Sequence, residues 1–125
     1  MALIRSSDAP VFDAGGTTVT AYAAPSRGAS ELSLWRLELA AGSVSPLHQM
    51  DREEVFLGLE GRVVAVVDGA EQTIGAGDCL VLPAGTPFSF RVGDDGPFVA
   101  VACLPAGSVA TMIPDGTTLV PPWAE

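Results

Sequence analysis

Residues 42–61 read GSVSPLHQMDREEVFLGLEG, and residues 77–92 read GDCLVLPAGTPFSFRV. In the first stretch Gly42 and Gly61 frame His48, Met50 and Glu54. In the second, Gly77, Pro83 and Gly85 lead to Phe88 and Val92. Alternate side chains of an extended strand share a face, so His48 and Met50 point one way and Gln49 the other. Glu54 and Phe56 carry that parity onward, and Phe88 and Phe90 repeat it on a later strand.

Outward from these stretches the same grammar recurs. Short alternating or β-branched runs at Glu31–Leu39, Glu54–Leu59, Arg62–Val67, Glu71–Ile74, Cys79–Leu82, Phe88–Val92 and Phe98–Leu104 are separated by Gly, Pro and Asp turns. Asp68-Gly69 reads as a hairpin turn. Helical periodicity is absent, and the ten prolines and fourteen glycines fall almost wholly between the runs. Many short strands with turn signals about every 8 to 12 residues predict an all-β sandwich or barrel.

At 125 residues the chain is one domain, long enough to remove roughly two-thirds of its unfolded surface from water without covalent staples. Cys79 and Cys103 form no C-x-x-C pair and no disulfide framework. Met1–Asp13 lacks a basic segment followed by an apolar run, and no stretch of about 18 apolar residues suits a membrane helix, so a cytoplasmic location and no membrane partner are expected. The net charge is −9, with six arginines and no lysine. A nucleic-acid binder needs a basic face, so no nucleic-acid partner is expected. Lysine Schiff-base and lysine general-base chemistry are excluded outright. With one histidine and one tyrosine, proton transfer near pH 7 falls to His48, a carboxyl group, a thiol or water.

The spacing of both stretches resembles the two signature motifs of the cupin superfamily, over about residues 32 to 105. There the first motif carries His-x-His and Glu between two glycines, and the second carries His and Asn after Pro-x-Gly. Here Met50 and Phe88 stand at two of the histidine positions, and Val92 stands at the asparagine. The resemblance implies an antiparallel jelly-roll barrel spanning residues 31–107. Residues 1–30 would then form an N-terminal edge strand or arm, and 108–125 an extension packed on the barrel or on a partner. It also implies a homodimer formed by exchange of edge strands.

Cupins hold a divalent metal with three histidines and the glutamate. Only His48 and Glu54 remain as its ligands here, and first-row metals usually want three or four, so no tightly bound cofactor is expected. The replacements favour an apolar pocket for a small organic, largely apolar or aromatic ligand, lined by Met50, Phe56, Phe88 and Phe90. Arg36 and Cys103 are further candidates for that pocket. His48 and Glu54 form a candidate acid/base pair for a metal-independent isomerase or cyclase. They would instead serve a metal-dependent dioxygenase or isomerase if a reduced ligand set holds Fe, Mn, Ni or Zn. A third reading is a non-catalytic structural or regulatory barrel with its cavity plugged by Met50, Phe56, Phe88 and Phe90.

Overall fold

The computed structural model describes all 125 residues, Met1–Glu125. Twelve strands follow one another: β1 (Val11–Ala14), β2 (Thr17–Ala23), β3 (Leu32–Leu39), β4 (His48–Met50), β5 (Glu54–Glu60), β6 (Arg62–Val67), β7 (Ala70–Gly75), β8 (Cys79–Leu82), β9 (Phe88–Arg91), β10 (Phe98–Pro105), β11 (Ala110–Met112) and β12 (Thr118–Leu119). They form two six-stranded sheets, ordered β1-β2-β3-β10-β5-β8 and β12-β11-β4-β9-β6-β7. Every pairing is antiparallel, and the architecture is the expected jelly roll. No helix is long and apolar enough to cross a membrane.

The alternation read from the sequence becomes the inside and outside of the barrel. Along β3, Ser33, Trp35, Leu37 and Leu39 are buried while Leu34, Arg36 and Glu38 are partly exposed. On β10, Ala102 lies opposite Trp35 on one neighbouring strand and Phe56 on the other. A methyl group between two large rings lets the inner layer close at native density.

Turn chemistry sets the register. Asp68 and Gly69 both have positive φ, +51° and +79°, and connect Val67 to its partner Ala70. This is the twist of a type I′ hairpin, which Asp-Gly satisfies. Gly61, at φ +70°, carries the chain from β5 in one sheet to β6 in the other, and a Cβ there would collide with the Pro97 carbonyl. The framing glycine is therefore a requirement of close backbone approach.

The segments on either side of residues 31–107 join the same two sheets. β2 pairs along most of β3, and β11 pairs with β4, placing Met112 beside His48 and Ala110 beside Met50. The first thirty residues supply β1, at the sheet edge, and β2, and the last eighteen supply β11 and β12 of the second sheet. The tail then folds back on its own barrel. Arg27 donates from Nη2 to the Trp123 carbonyl (3.0 Å) and from Nε to that of Tyr22 (2.9 Å), and Ser33 Oγ donates to the Ala124 carbonyl (2.8 Å). Trp123 consequently packs against Phe12 and Trp35, with ring centroids 6.3 and 6.4 Å apart.

Candidate functional site

A cavity of about 290 Å³ opens between the two sheets, and thirteen of its nineteen lining residues are hydrophobic. This volume lies just under the lower bound of about 300 Å³ for ligand pockets. His48, Met50, Glu54, Phe56, Phe88 and Phe90 all line it. The plugged barrel is thus not what these residues build: Met50, Phe56, Phe88 and Phe90 are walls, with space between them.

The two motifs are tied to one another by backbone bonds. Gly85 N–H, from the Pro-x-Gly turn, donates to the Met50 carbonyl (2.7 Å), while His48 pairs with Phe88 across β4 and β9. Ser45 N–H donates to the Phe90 carbonyl (2.9 Å) and Ser45 Oγ accepts from Phe90 N–H (2.8 Å). Segments far apart in sequence are held in a single register by these bonds.

His48 Nδ1 lies 2.8 Å from the Pro46 carbonyl. A carbonyl only accepts, so Nδ1 carries the proton and the neutral ring keeps its lone pair on Nε2. Burial pushes the His48 pKa down, and the bond to Pro46 opposes that only in part. The ring packs against Phe88 with centroids 4.4 Å apart and planes tilted by 48°. Phe88, Phe56 and Phe90 form a mutual edge-to-face triangle with centroids 5.0 to 5.9 Å apart.

Glu54 is 4% exposed, and its Oε1 is buried with no hydrogen-bond partner. Desolvation raises its pKa to about 8, because a charged carboxylate in apolar surroundings has lost its water and gained no counter-charge. Near pH 7 the group is therefore a neutral carboxylic acid. No hydrogen bond joins it to His48.

Two expected pocket residues lie elsewhere. Arg36 shares the outer face of β3 with Glu38, its ion-pair partner at 3.8 Å. Cys103 lies opposite Leu34, and that residue shares the outer face with Arg36, so strand parity takes both candidates away from the cavity. Burial raises the Cys103 pKa, consistent with an unreactive thiol.

Other lining residues went unrecognised in the sequence. Trp35, Leu37 and Leu39 form the wall opposite β4, and Val19, Met112 and Trp123 come from the terminal segments. The alternation of β3 was sufficient to find the first three, since they take the opposite parity to Arg36. Nothing local marks the others, which reach the cavity through long-range pairing. Asp51, in the loop after β4, has a structural task. Its Oδ1 accepts from Val109 N–H (2.7 Å), and its own N–H donates to the Val109 carbonyl (3.0 Å), anchoring β11 beside β4.

The metal set that the cupin resemblance implies can be compared with these donors. Nε2 of His48 and the carboxyl of Glu54 are two. Phe88 offers none, and the Met50 thioether is soft and weak for Fe(II), Mn(II) or Zn(II). No group of three or more His, Cys, Asp or Glu side chains converges anywhere in the chain. Two donors are fewer than the three or four that first-row metals usually take from a protein.

Known proteins share this fold. The family described as "Cupin domain" matches residues 35–104. Among solved structures, the polyketide cyclase RemF from Streptomyces resistomycificus superposes with a TM-score of 0.76 at 22% identity, over 86% of this chain and 81% of that one. A cupin-2 domain protein from Rhodospirillum rubrum gives a TM-score of 0.69 at 19% identity, covering 97% and 73%. Salicylate 1,2-dioxygenase from Pseudoaminobacter salicylatoxidans, bound to gentisate, gives 0.72 at 21% identity, covering 86% and 31%. At these identities the likeness is one of fold. No curated protein matches at the sequence level.

Proposed function

The chain belongs to the cupin domain family, and from that premise we propose that it binds a small, largely apolar ring-bearing organic molecule without a tightly held metal. On this reading His48 and Glu54 act on the molecule as an acid/base couple, in the manner of an isomerase or cyclase. The supporting observation is a cavity with mostly apolar walls into which the chain has placed one imidazole and one unpartnered carboxyl group. Buried polar groups without partners are uncommon and costly. A ligand that bonds to Glu54 offsets that cost.

The chemistry follows from the protonation states. On a ligand with an acidic C–H beside a carbonyl, His48 Nε2 takes the carbon proton. The C–H electron pair moves into the adjacent carbon–carbon bond, and the carbonyl oxygen takes the proton of Glu54. In a β,γ-unsaturated ligand His48 returns its proton to the γ carbon while Glu54 takes back the enol proton, which restores both residues and leaves the double bond shifted into conjugation. Attack of the enol carbon on a second carbonyl would instead close a ring. The likeness to a polyketide cyclase agrees with this reading and does not carry it. For assembly we keep the homodimer: Leu57, Leu59 and Val81 are exposed along β5 and the edge strand β8, an apolar strip that a second copy would cover.

Elemental mass spectrometry tests the metal-free reading. After incubation with Fe(II), Mn(II), Ni(II), Zn(II) or Cu(I) and desalting, no near-stoichiometric retention is expected, and ring compounds are expected to raise the melting temperature. Retention that disappears in His48→Ala would return the site to metal-dependent dioxygenase or isomerase chemistry.

A further inference from the structure

Every cation of the chain is placed away from the cavity. Arg27 holds backbone carbonyls of Tyr22 and Trp123, and Arg36, Arg62 and Arg91 face Glu38, Asp95 and Glu71. Arg5 and Arg52 are exposed. None of the six lines the cavity, whose only ionisable residues are His48 and Glu54. An anionic ligand would therefore lose its hydration and find no counter-charge.

Glu54 alone suggests a cation as an alternative ligand, since aromatic walls with a carboxylate are the usual receptor for an ammonium group. The geometry argues against it. A buried ammonium–carboxylate pair offsets its desolvation only with further hydrogen bonds, whereas thirteen of the nineteen lining residues are hydrophobic and Phe56, Phe88 and Phe90 meet edge to face at interplanar angles of 62° to 87°. What remains is a neutral site with a buried carboxyl group that lacks a hydrogen-bond partner on Oε1.

We propose that the cavity selects uncharged hydroxy- or oxo-substituted ring compounds, whose oxygen bonds to Glu54, and rejects the isosteric carboxylates and ammonium ions. This rests on the reading of the cavity as a site for a ring ligand and names the charge class that it takes.

Calorimetric titration with three compounds of similar shape tests it: tetralone, naphthoate and naphthylmethylammonium. Trp35 and Trp123 are the only tryptophans of the chain and both line the cavity, so intrinsic fluorescence reports in parallel whether binding occurs there. Tetralone is expected to bind, with each ion at least about 100-fold weaker. Glu54→Leu is expected to weaken tetralone about tenfold, while Glu54→Gln, which keeps a hydrogen-bond donor, stays within about threefold. If either ion binds as tightly as tetralone, or Glu54→Leu leaves tetralone binding unchanged, the charge assignment is overturned and the cavity-binding reading stands. Absence of heat and of any fluorescence change with all three compounds overturns both.

Discussion

Two regions of the barrel interior use the same kinds of strand to opposite ends. In one, Val63, Ile74, Leu82, Val92 and Phe98 are buried in the core cluster and none lines the cavity. In the other, Trp35, Phe56, Phe88, Met112 and Trp123 surround about 290 Å³ of space. Side chains that border this space give up the interdigitated packing that stabilises the filled region. Ala14 and Ala110 border the space with single methyl groups, so larger side chains at these points would have reduced it. The filled region follows the rules of stability. The hollow one departs from them where the chain also places its half-buried lone histidine and a buried, unpartnered acid, the usual signature of a site kept for a ligand.

The contrast can be broken most decisively by truncation. Phe98→Ala, from a side chain 1% exposed in the filled region, is expected to cost about 3–5 kcal/mol in urea unfolding. Trp123→Ala widens a space that already exists and is expected to cost under about 2 kcal/mol. Equal losses would mean that the two regions do not differ in packing.

Next in size is a pH effect confined to the hollow region. The folded-state pKa of Glu54 is about 8, above the ordinary carboxyl value of 4.5, so the folded chain holds a proton that the unfolded chain releases, and stability falls as pH rises between those values. The lowered pKa of His48 acts the other way: the unfolded chain binds the proton first, so stability is lost as pH falls below 6.5. Between pH 6.5 and 8 only the Glu54 slope remains, at about 1.4 kcal/mol per pH unit. Denaturation at pH 6.5 and 8 should therefore show a loss of about 2 kcal/mol in the native chain and almost none in Glu54→Gln. A slope that survives the substitution would assign the proton to another group.

The tail that closes the hollow region gives a smaller effect. Arg27→Ala removes the bonds to the Tyr22 and Trp123 carbonyls, with an expected cost of about 1–2 kcal/mol and faster amide exchange in residues 118–125 than elsewhere. Exchange that speeds uniformly would show that the tail is not a separate wall. The smallest effect belongs to the outer surface, where Arg36→Ala loses an exposed pair with Glu38 and should change stability by less than about 0.5 kcal/mol. It should leave tetralone affinity unaltered, whereas a marked loss would bring Arg36 back toward the cavity.

Legibility in the sequence followed the range of the forces involved. Asp68-Gly69 announced its hairpin because φ preference is local, and His48, Met50, Glu54, Phe56, Phe88 and Phe90 could be grouped because strand parity and motif spacing are periodic. Arg36 was grouped with them for its chemistry, although the same parity that buries Trp35, Leu37 and Leu39 turns Arg36 outward. Cys103 follows the same rule through its pairing with Leu34. Met112 and Trp123 had no such signal, since their positions depend on β11 joining β4 and on a tail held by Arg27 and Ser33.

The sequence by itself determined the all-β class, the turns, the inward face of each motif strand and the loss of two histidines from the ligand pattern, because all of these are read within a few residues. Only the tertiary structure decided that the interior is hollow beside His48 and Glu54, that Glu54 lacks a partner, and that both chain ends wall the cavity. Volume, desolvation and counter-charge depend on what distant segments bring to the same place, and no local pattern encodes that sum.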